Sequence, residues 1–585
     1  MNLLGRIVIS KSLLILLASF SILGVLAKAE GTRELQPEAT YNPRLRLSYS
    51  LPVTSDDGGP FATPVAPPEY RLWVTIGNAT EIVYFGFKPE SNNVFFVIKD
   101  SVGTVVYPAS GTPMPLPTSG NGYIVDYNQA VNGPKPLNPA GYEPLTFTPP
   151  YAGNFYFEFS WNSASGQRYI TYWDITVVAP GNIEKRGRVW SKNWQLQMGN
   201  NNHPFTGVMY PYTNDQITTS IHFNGMAPAR FTVACNPTGV SNTGNFIIDR
   251  KSVAGNYTYP EYKIFVNDPD SNLFPTGILG GVDSVKTSNH CDGHLNITLF
   301  VNKPGVADII LQINPEPGVQ PEDINLSDSV YSGDSTTIVW NGLNGLGDSV
   351  PSGTTIGIEI TYVNGLTHLP LYDVEYSAST WKGFIVDLIR PQGNKPKVFW
   401  DDSNLGGSVN LSGCIDPSGC HSWGYALGDE NTINTWWFAV STSLIPIELL
   451  YKRSEQYEHV HTICDGDSIL IAGTYYKIAG IYYDSSMNTL GCDSVHVHHL
   501  AVNPSPVVDL GPDVVICQGE SHTFDAGFNP DYTYLWNTGE TSHQITVSTT
   551  GYYSVSVTNR EQCTRADEVY LYVSPLPGPL QIKHN

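Results

Sequence analysis

The chain reads as an all-β protein, built from tandem β-sandwich modules in an extended array. Three observations predict this. Apolar and polar residues alternate with period two in many short runs, such as Tyr553, Val555 and Val557 against Ser554, Ser556 and Thr558, a spacing that lines one face of a strand. The composition of 54 Gly, 43 Pro and 34 Tyr matches strands punctuated by turns. After the first thirty residues, no run of helical length sustains a 3.6-residue period. With 585 residues the chain has room for roughly four to six domains.

The first 29 residues have the form of an export leader. Arg6 and Lys11 precede an apolar stretch at 12–26, and Ala27-Lys28-Ala29 is a small-x-small cleavage site, so the mature chain is predicted to begin at Glu30. No Cys follows the cleavage site, which argues against a lipid anchor, and no later segment of the mature chain is apolar enough to span a membrane. Charged residues are only 14%, and the formal net charge is −22. Losing the leader removes Arg6, Lys11 and Lys28 but no acid, so the mature chain is more acidic still. Such a surface repels nucleic acid and anionic membranes. The partner class left is an extracellular protein or a glycan.

Taken in order, residues 30–180 read as a first sandwich. Its strands are at 71–76 (RLWVTI), 83–87 (VYFGF), 94–99, 104–107, 155–159 (FYFEF) and 172–177. The Pro/Gly-rich stretch 108–139 is a surface excursion. The polar break at 182–188 opens a second sandwich, 181–315, closing with strands at 295–300 and 308–313. The linker NPEPGVQPE at 314–322 leads into a third module, 316–450. A short module at 451–504 and a final one at 505–575 follow, with 576–585 as a linker or tail. The last two look like variants of one theme. Each opens on Cys-x-Gly (Cys464-Asp465-Gly466, Cys517-Gln518-Gly519), and each places Gly-x-Tyr (Gly480-Ile481-Tyr482, Gly551-Tyr552-Tyr553) ahead of a second Cys. In the final module the order Cys517, Trp536, Cys563 suits an Ig-like sandwich with a disulfide packed on a tryptophan.

Eight cysteines, Cys235, Cys291, Cys414, Cys420, Cys464, Cys492, Cys517 and Cys563, are an even number in an exported chain, so disulfides are expected. Sequential pairing keeps each bond inside one module. Zinc would need C-x-x-C pairs, which the sequence lacks.

Residues 340–354 run Trp340-Asn341-Gly342, a Gly/Asn turn, then Val350-Pro351-Ser352-Gly353. This resembles the Ig-like fold of flagellar hook-capping proteins, with Asn341 at the position of the motif's Asp. More broadly, Gly491-Cys492-Asp493-Ser494, Gly511-Pro512-Asp513, Leu371-Tyr372-Asp373-Val374-Glu375, Phe399-Trp400-Asp401-Asp402 and Ile433-Asn434-Thr435-Trp436-Trp437 resemble segments of large exported surface proteins of Bacteroidetes. Those proteins carry Ig-like and PKD-like repeats, are associated with gliding motility, and leave by the type IX secretion route. The resemblance implies export and an adhesive or structural role. It also implies a C-terminal sorting domain, which residues 574–585 do not supply.

No Gly-x-Ser-x-Gly elbow and no His-Glu-x-x-His helix occurs, so the chain is expected not to be an enzyme. No cofactor is required, and Ca²⁺ is the cation its acidic loops would take. Four candidate sites remain. Asp268, Asp270 and Asn272 place oxygens at alternate positions, as short Ca²⁺ loops do, and Asp401-Asp402 with Asp429-Glu430 is a second acidic set. His459 and His461 share one strand face, as do His496 and His498, so pairing of the two strands would bring four imidazoles towards one Zn²⁺ or Cu²⁺. Trp423, Trp436 and Trp437, with Tyr425, offer an aromatic platform for sugar stacking. Adjacent tryptophans on a strand face opposite ways, so at least one belongs to the core.

Overall fold

A computed structural model describes residues 30–35, 43–48, 61, 70–162, 166–199, 203–375, 381–424 and 426–578. The leader, Tyr425 and the last seven residues lie outside them. The protein is almost entirely β, as the alternation predicts, and forms tandem β-sandwich modules. Among the described residues no helix is long and apolar enough to cross a membrane.

Two large sheets make the head of the molecule. One runs through Val409–Cys414, Val398–Asp401, Asn431–Ser443, Thr355–Tyr372, Arg230–Ala234, Asn193–Gln197, Arg44–Ser48, Gln167–Ala179, Ile82–Pro89 and Leu145–Phe147. The other runs through Phe384–Arg390, Thr218–Phe223, Val208–Tyr212, Lys263–Phe265, Val189–Ser191, Leu72–Ile76, Gly153–Trp161, Val94–Asp100 and Val105–Tyr107. Their inner faces share one core. Phe85 of the first sheet meets Phe96 and Phe157 of the second at 5.7 and 5.3 Å, and the Trp194 indole donates to the Ile264 carbonyl at 3.0 Å. The core extends without a break from Leu35 through Ile264 to Leu369 and Trp437.

The expected border at 180/181 is therefore crossed by strand pairing. Leu45 is in register with Leu196 on one side and Ile170 on the other, and Val74 pairs with Val189. The border at 315/316 also moves. Val282–Asn289, Leu295–Val301 and Ser335–Trp340 form one sheet, whose core residues Leu295, Ile297 and Trp340 pack with Ile309, Ile358 and Tyr451 of the opposing strands. This second sandwich contains the hook-capping-like motif. There the Trp340 indole donates to the Leu343 carbonyl at 2.8 Å, and the Asn341 side-chain oxygen accepts from the Leu343 amide at 3.2 Å.

The sandwich is inserted into the head. Thr355–Tyr372 pairs first with Gly305–Gln312 in the insert, and its second half continues between Arg230–Ala234 and Asn431–Ser443 in the head. The two strands that link insert and head, Thr355–Tyr372 leaving the insert and Asn431–Ser443 returning to it, are thus also strands of the large sheet.

Two small repeats follow, and their topologies agree. In the first, Gln456–Cys464 runs parallel to Asp493–Asn503, which is antiparallel to Gly480–Met487. In the second, Val514–Cys517 runs parallel to Thr564–Ser574, which is antiparallel to Gly551–Thr558. Trp536 is buried in the core of the second repeat with Phe524, Tyr553, Val555 and Leu571.

Candidate functional site

The predicted cysteine chemistry is present with a different connectivity. The bonds are Cys291–Cys492, Cys414–Cys420 and Cys464–Cys563, leaving Cys235 buried and Cys517 exposed as free thiols. Only the tight Cys414–Cys420 loop follows sequential pairing. Cys235 follows the head strand Arg230–Ala234 inside the apolar core, where burial raises its thiol pKa far above the ordinary range, so it is chemically inert. Cys563 is drawn towards the preceding repeat, and Cys517 sits at a strand end away from Trp536. The Cys–Trp–Cys order thus does not mark an internal disulfide here.

Both long-range bonds sit at joints between modules. The first repeat holds its Cys492 in a turn built by Asn488. The Asn488 side-chain oxygen accepts from the Cys492 amide at 3.0 Å, its own amide donates to the Cys492 carbonyl at 2.8 Å, and its side-chain amide donates to the Arg453 carbonyl in the linker at 3.0 Å. The second repeat repeats this with Asn559 and Cys563, at 2.8 and 3.0 Å, and the Asn559 side-chain amide donates to the linker carbonyl of Pro504 at 2.7 Å. One side chain therefore shapes the turn, presents the cysteine and grips the linker. Arg565 adds a contact to the Asp465 carbonyl, and Ser505 donates to the same oxygen at 3.0 Å. The spacing Asn-x-x-x-Cys is visible in the sequence, but its role emerges only once the turn carbonyls and linker are placed.

The aromatic platform is not formed. Trp423, Trp436 and Trp437 are 8%, 2% and 0% exposed. Trp437 belongs to the head core. Trp423 donates to the Val374 carbonyl at 2.9 Å, and Trp436 is stacked on Phe399 at 6.0 Å with the Arg250 guanidinium over its ring at 5.9 Å. Sugar stacking needs an open ring face, and none of the three offers one.

The four histidines do share one sheet face, and their strands do pair. They form a column, with successive ring centroids of His496, His459, His498 and His461 at 5.1, 4.7 and 5.1 Å. Their nitrogens meet in two separate rungs, His459 Nε2 with His496 Nδ1 and His461 Nε2 with His498 Nδ1, each at 2.9 Å. A single four-histidine centre is thus replaced by two two-nitrogen rungs. Burial, aided by the neighbouring imidazoles, lowers the pKa of His498.

The acidic candidates are largely engaged with protein groups. Asp270 accepts from the Arg188 guanidinium at 2.8 Å, Asp268 from Arg390 at 2.9 Å, and the Asn272 side chain donates to Asp270 at 2.8 Å. This is a salt-bridged turn that anchors the 268–274 loop, whose Phe274 packs on Phe265 with ring centroids 4.7 Å apart. Asp401 and Asp402 are separated in role from Asp429 and Glu430. Asp402 is fully buried, accepting from Ser252 at 2.6 Å and facing His421 Nε2 at 2.9 Å, while His421 Nδ1 meets Thr435 at 2.6 Å. The residue types are those of a hydrolytic triad, but neither the His421 nor the Asp402 side chain has any exposed surface, so no substrate reaches them. Asp429 instead lies with Asp373 and Glu375, the one group with metal-ligand spacing among the described residues. Arg230 already bridges Asp373 at 2.7 Å, and burial pushes Glu375 up to about 7.

No protein-family model matches the chain, and no curated protein does. Solved structures similar to it include the first four immunoglobulin domains of Sidekick-1 (10% identical, covering 51% of this chain and 74% of that one, TM-score 0.12). The insect immune protein hemolin is another (12% identical, 47% and 96% covered, TM-score 0.14). A third is a DUF4785 family protein of Legionella pneumophila (10% identical, 58% and 87% covered, TM-score 0.13). Superpositions this loose carry no argument about what the chain does.

Proposed function

We propose that the protein is an exported, non-enzymatic surface or matrix protein, in which a large β-sandwich head is carried on disulfide-jointed repeats and works in adhesion or cell-surface architecture. One observation carries this reading: two of the three disulfides span joints between modules. A bond inside a module stabilises that module alone, whereas a bond across a joint fixes the module against its neighbour and resists a pull along the chain. Such bonds persist outside the reducing cytosol, which agrees with the leader-like first 29 residues. The acidic, weakly charged surface keeps the protein soluble, and the reading requires no cofactor.

The test combines location with phenotype. Intact cells that make the protein are probed with an antibody against the head, and a deletion strain is assayed for attachment to a surface or to other cells. The expected result is label on intact cells or in the medium, with weakened attachment in the deletion strain. Label seen only after lysis, or attachment unchanged by the deletion, would overturn the proposal.

A further inference from the structure

The free cysteine of the second repeat occupies the place that, one repeat earlier, holds a joint together. Cys464 ends the first strand of its repeat in register with Asn503, and Cys517 ends the corresponding strand in register with Ser574. The turns that follow are the same. The Cys464 carbonyl accepts from the Asp467 amide at 2.9 Å, and the Cys517 carbonyl from the Glu520 amide at 3.0 Å. The Asp465 amide donates to the Asn503 carbonyl at 2.8 Å, and the Gln518 amide to the Ser574 carbonyl at 2.9 Å. Gly466 and Gly519 share a left-handed backbone, with φ of +92° and +95°. Both repeats then leave by x-Pro-x-Pro, Asn503-Pro504-Ser505-Pro506 and Ser574-Pro575-Leu576-Pro577.

In the first repeat every part of this arrangement is used by the next module. Cys464 is bonded to the turn cysteine Cys563, the Asp465 carbonyl receives Arg565, and the Pro504 carbonyl receives the side-chain amide of Asn559. The second repeat displays the same set, an exposed Cys517 thiol with the backbone of Gln518 and Pro575 beside it. Neither turn cysteine of this chain is available to fill it, because Cys492 and Cys563 are both bonded.

We propose that Cys517 is the half-joint for a further β module, and that it forms a disulfide with a cysteine presented in an Asn-x-x-x-Cys hairpin turn of that module. The chemistry is two successive thiol–disulfide exchanges with a dithiol oxidase. The Cys517 thiolate attacks the oxidase disulfide and displaces one thiolate. The turn cysteine, as thiolate, then attacks the Cys517 sulfur of the mixed disulfide and releases the second. Two protein thiols lose two protons and two electrons, and the oxidase disulfide is reduced to a dithiol. The inference rests on the export reading, since the bond needs an oxidising compartment.

The experiment isolates the mature protein from the cells that make it, with free thiols blocked by N-ethylmaleimide at lysis, and maps its disulfides by mass spectrometry without reduction. The expected result is a Cys517 peptide joined to a second peptide in which Asn stands four residues before the bonded Cys, with loss of that species in Cys517→Ser and its retention in Cys235→Ser. Recovery of Cys517 as the maleimide adduct, as a Cys517–Cys517 dimer, or bonded to a cysteine lacking the Asn would overturn the proposal. The same digest reports Cys291–Cys492 and Cys464–Cys563. If those are formed and Cys517 is free, the half-joint alone falls. If all four of those cysteines are alkylated, it is the export reading that falls.

Discussion

Single residues in the head carry its pH dependence. Asp174 is fully buried beneath Tyr142, which donates to it at 2.6 Å, with Thr176 donating at 2.9 Å. Burial outweighs these bonds and pushes its carboxyl up to about 7, and nearby Glu30 is pushed up to about 8 for the same reason. An unfolded aspartate releases its proton near pH ~4, so the folded state holds a proton that the unfolded state has lost. Stability from this group is full below that point and falls as pH rises to about 7. Asp174→Asn is expected to reduce the drop in melting temperature between pH 5 and pH 8, with the rest of the drop left to the other buried carboxyls raised in the same way, Glu30, Glu34 and Glu375. Parallel curves for the two proteins would show that Asp174 is not a titrating group. The tryptophan pair teaches a different lesson at this scale. Alternation placed Trp436 and Trp437 on opposite faces and at least one of them in the core. Both are buried, because Asn431–Ser443 has the head core on one side and Phe399, Phe246 and Arg250 on the other. Those covering residues are distant in sequence or on another strand, and no local pattern announces them. Removing Trp437 leaves a large void in a continuous core, so Trp437→Ala is expected to cost about 3–5 kcal/mol, measured by denaturant unfolding of the head. A loss under about 1 kcal/mol would contradict its placement.

At the scale of elements, what the sequence makes legible is local and what it hides is pairing. The strands at 71–76, 94–99 and 155–159 appear where alternation puts them, and the Trp340–Gly353 motif forms the turn its resemblance implies. The likeness of the two repeats, read from their matched motifs, returns as a shared topology, while the parallel pairing of first and last strands is seen only in the structure. The module borders did not follow, because Thr355–Tyr372 serves two sandwiches and finds its head partners at Arg230–Ala234 and Asn431–Ser443. The same limit applies to the cysteines: spacing shows that they are present, while partner choice depends on which turn meets which linker. Gly365 marks the crossover in that long strand. It has φ of +72°, lies between the paired positions Asn364 and Leu366, and a Cβ there would meet the Ala439 Cβ at 2.7 Å. Gly365→Ala therefore adds backbone strain and a clash at the point where both sandwiches are joined, and is expected to cost about 2 kcal/mol or more. Hydrogen exchange should register the loss on both sides of the crossover, at Ile358–Tyr362 and at Leu369–Leu371. Loss confined to one sandwich would show that the shared strand does not couple them.

The whole molecule is organised by how its covalent loops overlap. Cys291–Cys492 closes a separation of 201 residues, and Cys464–Cys563 one of 99. Because Cys464 precedes Cys492 in sequence, the loops interlock, and a pull from head to tail passes through both bonds and only the chain between positions 464 and 492. Everything else from 291 to 563 is shielded, so the insert and both repeats cannot be drawn out to full length while the bonds last. At ~3.4 Å per extended residue, reduction should release on the order of 800 Å of additional contour. Cys464→Ser alone should release only about 150 Å, since Cys291–Cys492 still bypasses most of the chain. Single-molecule extension with and without dithiothreitol measures both lengths. Equal contours under the two conditions would mean that the bonds bear no load, and the joints would then be mere tethers between independent modules. A gain of full size in Cys464→Ser would show instead that the head-side bond does not form, which would remove the mechanical coupling between the insert and the repeats while leaving the repeat-to-repeat turn intact.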